Sequence, residues 1–128
     1  MRAQPDPAVI AWLADQSPTD LFSTAVTVAE ISDGLERLPR GRRRKSLEQA
    51  YQSVSVGMAD DILPFDVDAA LLYGPLMAMM EQAGTPIDPM DAEIACIAAS
   101  RGATVATRNE GDFADCGVRL VNPWRHME

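Results

Sequence analysis

Residues 87–107 read I-D-P-M-D-A-E-I-A-C-I-A-A-S-R-G-A-T-V-A-T, and this stretch decides the fold. Asp88-Pro89 opens a helix, with Asp as its cap and Pro at the first helical position, where a missing N–H costs nothing. Ile94, Ile97 and Ala98 recur at helical spacing and face inward. Gly102 ends the helix. Ala103–Thr107 then switches to short β-forming residues and reads as a strand.

The same alternation runs outward in both directions. Upstream, Val9, Ile10, Trp12 and Leu13 form a helical stripe that stops at Ser17-Pro18. L-F-S-T-A-V at 21–26 reads as a strand, and Thr27–Leu38 as a helix with Val28, Ile31, Leu35 and Leu38 on one side. Pro39-Arg40-Gly41 breaks that helix, and a more polar one follows from Arg42 to about Val56, closed by Gly57. Asp61–Asp66 is a brief strand, held to an edge or an end by Pro64, which cannot donate to a ladder. Asp68–Gln82 is a long apolar helix, with Gly74-Pro75 as a site for a kink. Downstream, Asn109–Phe113 is a single turn and Val118–Val121 a last strand, ended by Asn122-Pro123-Trp124. Strands alternating with helices mean a parallel sheet covered on both faces. In such sheets ligands bind beyond the carboxyl ends of the strands.

A chain of 128 residues and 13.9 kDa holds one domain, residues 1–128. Apolar residues make up 47% and charged residues 23%, as in a soluble protein with a real core. The net charge of -8 repels nucleic acid unless it is offset locally or by cations. A generic nucleic-acid coat is thereby excluded; a metal-dependent nuclease is not. Cys96 and Cys116 have no metal-ligand spacing, so a zinc module is excluded. The one histidine, His126, lies in the tail and leaves Ser-His or Cys-His catalysis without a plausible base. No signal peptide, membrane span or Gly-rich phosphate loop is present. The reading is a reduced, cytoplasmic protein whose chemistry rests on carboxylates, hydroxyls and amides.

Three acids occupy equivalent local settings. A capping residue precedes each by three positions: Thr27 before Glu30, Asp88 before Asp91 and Asn109 before Asp112. Each reads as the third residue of a helix, beside free backbone N–H groups and the positive end of the dipole. Singly, each is more simply a capping-box acid. Together they carry more weight. Asp91 shares a face with Ile94, Ala95 and Ala98, so its carboxylate points to the packed side, and Glu30 stands at a similar boundary. Ionised carboxylates in such places need a cation or donors. Oxygen-only ligands suit Mg²⁺ or Mn²⁺.

T-V-A-E-I-S-D-G-L at 27–35, I-D-P-M-D-A-E-I-A at 87–95, T-R-N-E-G-D-F at 107–113 with V-N-P-W at 121–124, and the opening P-D-P-A-V-I-A-W-L resemble the VapC/FitB type of PIN-domain ribonuclease toxin, over essentially the whole chain and in order. The resemblance implies a three-layer α/β/α sandwich with a parallel sheet. It implies a Mg²⁺- or Mn²⁺-dependent endoribonuclease that acts on RNA as the toxin of a toxin–antitoxin pair, held in check by a DNA-binding antitoxin, and a homodimer. Glu30, Asp91 and Asp112 match the metal-holding acids. Asn109 matches the polar residue of the T-R-N turn, with Thr107 and Arg108 as supporting or phosphate-facing groups. Asp88 stands where the family varies and reads first as an N-cap.

One departure stands out. The family begins with a central strand ending L-D-T-N, whose Asp is a principal ligand, and this sequence has no such segment. The expectation is a PIN-like domain whose first central strand is missing, and a 1–128 product that is inactive or poorly folded. The alternative to the enzyme is therefore a PIN-like remnant that only binds an antitoxin or dimerises.

R-G-R-R-R-K at 40–45 holds five of the eleven basic residues. It reads as an RNA-phosphate patch or a contact to an acidic partner, against a solvated helix start, which is slightly favoured. Met77, Met79, Met80 and Met90 read as core or interface. Trp12 is a core or interface anchor, and Trp124 packs on the sheet edge. Cys96 is a small buried residue, while Cys116, in a turn, is expected to be exposed.

Overall fold

The structure, a computed structural model, describes residues 8, 11, 12, 15, 16, 22–57 and 61–125. In chain order the elements are β1 (Ser23–Thr24), α1 (Ala25–Glu36), α2 (Arg42–Gly57), β2 (Ile62–Leu63), α3 (Val67–Gln82), α4 (Pro89–Arg101), β3 (Val105–Ala106), α5 (Glu110–Phe113) and β4 (Leu120–Val121), closed by a 3₁₀ turn at Pro123–Arg125. Ala8, Ala11 and Trp12 are helical, as the first stripe predicts. Val9, Ile10, Leu13, the Ser17-Pro18 stop and His126 lie outside the described residues.

The core is built on α3 and α4, the most extensively packed pair. Ala69, Ala92 and Ala95 are buried where these helices meet their neighbours, and such small side chains permit close approach. One cluster joins Met80, Ile87, Ala92, Ala95, Ala98, Val105, Phe113 and Cys116. A second joins Val26, Ala69, Cys96 and Ile97, with Leu63 and Phe65 packed against it. The helices are fixed at their ends. Asp66 Oδ1 accepts from Ala69 N–H at 3.0 Å, capping α3. Its other oxygen accepts from Arg101 at 3.3 Å, tying the start of α3 to the end of α4. Gly102 closes α4 in the left-handed region, φ 63°, which glycine enters without steric cost. Pro75 sits inside α3, which continues to Gln82.

Several expectations are corrected. Among the described residues the strand read at 21–26 is paired only at Ser23–Thr24, because Ala25 and Val26 already belong to α1. Thr24, rather than Thr27, is the N-cap: its Oγ1 accepts from Thr27 N–H at 3.0 Å. The helix read at 27–38 therefore shifts to 25–36. The other strands shrink likewise, to two residues each. Cys116 is buried, not exposed, because its turn folds against the cluster around Ala95 and Phe113. Of the methionines, Met80 is core and Met79 is exposed.

All pairing is parallel, as the alternation predicts, but it does not form one sheet. β1 pairs with β2 and β3 with β4, as two separate two-stranded units. Among the described residues nothing pairs with the second edge of β1 or of β3. Both strands line one cavity of about 580 Å³, together with Trp12, Leu63, Ile97 and Val121. The two half-sheets thus flank a gap floored by α4.

The capping assignment is testable. Thr24→Ala is expected to cost about 0.5–2 kcal/mol in urea unfolding, and Thr27→Ala distinctly less. A larger loss at Thr27 would return the cap to it.

Candidate functional site

The carboxyl ends of β1 and β3 both lead into helices that carry acids. α1 carries Glu30, and α5, after the Thr107–Asn109 loop, carries Asp112. The start of α4 brings Asp88 and Asp91. Asp88 caps its helix by accepting from Met90 N–H at 3.1 Å, as its position before Pro89 predicts. Asp91 is the third residue of α4 and Asp112 the third of α5, as read from the sequence. Glu30 is not: with Thr24 as cap it is the sixth residue of α1, a turn beyond the helix start. Its placement owes nothing to capping.

Asp88, Asp91 and Asp112 line a small cavity of about 140 Å³, with Met80, Thr85 and Asp115 among the other walls. Glu30 is not among the lining residues, but it lies within electrostatic reach. Partial desolvation raises its pKa, and the charges of Asp91 and Asp88 raise it further. The Asp91 carboxyl is raised in the same way, first by burial, then by Asp88 and Asp112. Among the described residues no basic side chain forms an ion pair with Glu30, Asp88, Asp91, Asp112 or Asp115. The result is a run of like charges with nothing to offset them. Coulomb repulsion of this kind favours proton or cation uptake.

Asp115 is a lining residue that the sequence reading missed. It adopts a left-handed backbone, φ 67°, which Asp tolerates better than most residues. The available signal was its place three residues after Asp112, in D-F-A-D before Gly117, a turn-forming run.

The other residues singled out lie on the β3–α5 loop and do not line the acidic cavity. Thr107 braces that loop: its N–H donates to Val121 O at 2.9 Å, and its Oγ1 accepts from Asn109 N–H at 3.0 Å. Asn109 occupies the cap position of α5 but makes no side-chain capping bond, contrary to the capping role read for it. Arg108 is exposed, and its guanidinium has no ion pair among the described residues. Asn122 fastens the loop from below, donating to Glu110 Oε2 at 3.3 Å, and Arg125 pairs with the same carboxylate at 3.2 Å.

An all-carboxylate donor set with surplus negative charge suits a hard divalent cation. The set is nevertheless incomplete. Among the described residues no group of three or more His, Cys, Asp or Glu side chains is placed to hold one metal ion. Of Glu30, Asp91 and Asp112, the last two line one cavity, and Glu30 is coupled to it through the charges of Asp91 and Asp88.

The repulsion has a pH signature. A carboxyl whose pKa is raised on folding destabilises the folded state while ionised, and the penalty lifts as pH falls through the raised value. Without divalent ions, Glu30→Gln and Asp91→Asn are therefore expected to stabilise the chain near neutral pH. That gain should shrink to nothing as pH falls through the carboxylate range. Melting curves across pH check this; a gain that grows on acidification would contradict it.

A model of the PIN domain matches residues 2–118. The chain is 39% identical over 124 residues to the VapC ribonuclease Y4jK of Sinorhizobium fredii, covering 96% of this chain and 89% of that protein. It is 36% identical over 125 residues to toxin FitB of Neisseria gonorrhoeae, covering 97% and 90%. A solved structure of FitAB bound to an IR36 DNA fragment superposes with a TM-score of 0.88 at 37% identity, covering 99% of this chain and 89% of that one. With an α/β frame that gathers acids at the strand ends, and with relatives matched over nearly their whole length, this chain belongs to the PIN-domain family of the VapC/FitB toxin type.

Proposed function

We propose that the chain is the toxin of a type II toxin–antitoxin pair, a metal-dependent endoribonuclease that hydrolyses RNA phosphodiester bonds. The observation that carries the reading is the uncompensated carboxylate run at the strand ends, in a chain whose relatives are called a ribonuclease, a toxin and a tRNA(fMet)-specific endonuclease. The remnant reading finds no such support among those relatives.

Glu30, Asp91 and Asp112 are the residues that would hold Mg²⁺ or Mn²⁺. The bound ion would supply a water acidic enough to attack phosphate, and positive charge to offset what develops there. Asp91 and Asp112 present oxygens to the small cavity while their helices hold them in place. Thr107 and Asn109 stiffen the loop that carries Arg108, whose exposed guanidinium is available to a phosphate. Asp88 and Asp115 deepen the negative potential at the same mouth.

The cavity between β1 and β3 supports a second part of the proposal. We infer that it would receive the further parallel strand implied by the resemblance, which would join the two half-sheets and end at the carboxylates with an acid of its own. The curated relatives extend about a tenth beyond the matched stretch. The partner is a cognate antitoxin, as in the FitAB and VapBC assemblies that the fold matches. A homodimer would cover the exposed apolar side of α3, where Val67 is 73% and Leu71 70% exposed. No described helix is long and apolar enough to cross a membrane, and we place the pair in the cytoplasm.

The test is RNA cleavage by residues 1–128 and by the same chain extended at its start by an apolar strand ending L-D-T-N. Residues 1–128 alone are expected to cleave poorly. The extended chain should cleave with Mg²⁺ or Mn²⁺, stop in EDTA, and lose at least about a hundredfold in rate on Asp91→Asn (about 2.7 kcal/mol). Cleavage that ignores both EDTA and Asp91→Asn would overturn the proposal.

A further inference from the structure

The elbow between α1 and α2 carries a charge imbalance that the fold itself does not use. Residues 33–48 hold six basic groups against three acidic ones. All three acids are spent internally: Asp33 pairs with Arg37 at 2.9 Å, and Glu36 and Glu48 both pair with Arg44, at 2.9 and 2.6 Å. Arg44 also donates to the carbonyls of Glu36 and Leu38, so one guanidinium locks the end of α1 to the start of α2. Arg40, Arg42, Arg43 and Lys45 are left over. All four are exposed, and none makes an ion pair or side-chain hydrogen bond among the described residues.

Three of these cations sit in the first turn of α2, which contains no acid. There they oppose the helix dipole, an arrangement that costs stability unless an anion lies outside. The patch stands on a fixed elbow, not on a loose tail. It also lies on the same helical hairpin as Glu30, which is six residues before the end of α1, about 9 Å along its axis. In a chain of net charge -8, a local cationic surface at the far end of the helix that carries Glu30 is what a polyanion needs in order to dock.

We propose that Arg40, Arg42, Arg43 and Lys45 form a docking surface for the phosphate backbone of the RNA strand whose scissile bond lies at the carboxylates. This rests on the ribonuclease reading and adds to it which part of the protein holds the flanking strand. Arg44 is excluded from the surface because its donors are engaged. The contact is to phosphate, so it is indifferent to base sequence.

The test is fluorescence anisotropy of a labelled single-stranded RNA in EDTA, over a salt series, with the purified chain. Each lost phosphate contact lowers the slope of log affinity against log salt by about 0.7. The combined Arg40→Gln, Arg42→Gln, Arg43→Gln and Lys45→Gln variant should therefore lower it by about 2–3 and weaken binding at low salt at least tenfold. Single substitutions should each remove a fraction of that, which keeps the test valid should the combined variant fail to fold. Arg37→Gln should leave the slope unchanged. An unaltered slope in the folded variants would overturn the docking surface. Metal-dependent cleavage that Asp91→Asn still abolishes would then show that the ribonuclease reading survives. Loss of that cleavage behaviour with the slope still patch-dependent would sink the ribonuclease reading instead.

Discussion

Like charges held close together without a counterion govern this molecule. Asp88, Asp91 and Asp112 wall one small cavity, Glu30 stands within reach of the first two, and no described basic group answers them. The chain has eleven basic residues, yet among the described residues those that pair do so elsewhere, with Asp33, Glu36, Glu48, Asp66 and Glu110. These carboxylates, exposed or half-buried, repel one another, and the repulsion adds to desolvation in raising the Glu30 and Asp91 pKa values. Electrostatic frustration of this kind, placed at the ends of parallel strands, is how the architecture and the chemistry meet.

The rest of the structure serves that placement. α4 runs through both core clusters and sets Asp91 at its first turn. The Asp66–Arg101 contact ties the far end of α4, the helix carrying Asp91, to the start of α3. Thr107, Asn122 and Glu110 brace the loop that leads to Asp112. The gap between the half-sheets lies directly over Ile97 and Ala98.

Where the chemistry of a boundary is local, the sequence was sufficient. Asp88-Pro89 and Gly102 bracket α4 to the residue, because a cap, a proline at the first position and a left-handed glycine act within one turn. The strands were overextended for the opposite reason. Leu21–Val26 and Ala103–Thr107 are good β-formers, but a strand exists only as far as a neighbour pairs with it, and pairing is non-local. Thr24 and Thr27 are equally good caps by composition; the hydrogen bond from Thr27 N–H decides between them. That shift moved Glu30 off the helix start. Cys116 was read as exposed and Asp115 escaped notice because the turn that carries them folds back, one side chain into the core and the other onto the acidic cavity. Within R-R-R-K nothing in the sequence marks Arg44 as the internal clamp; only the bend between two helices brings Glu36 and Glu48 to the same guanidinium.

The most direct measurement is a Mn²⁺ titration of the purified chain followed by electron paramagnetic resonance, with Asp91→Asn and a distant carboxylate variant, Glu81→Gln, alongside. Saturable binding by the wild type, kept in Glu81→Gln and lost in Asp91→Asn, is the predicted result. Binding that is absent, or equally strong without the Asp91 carboxylate, would contradict the account.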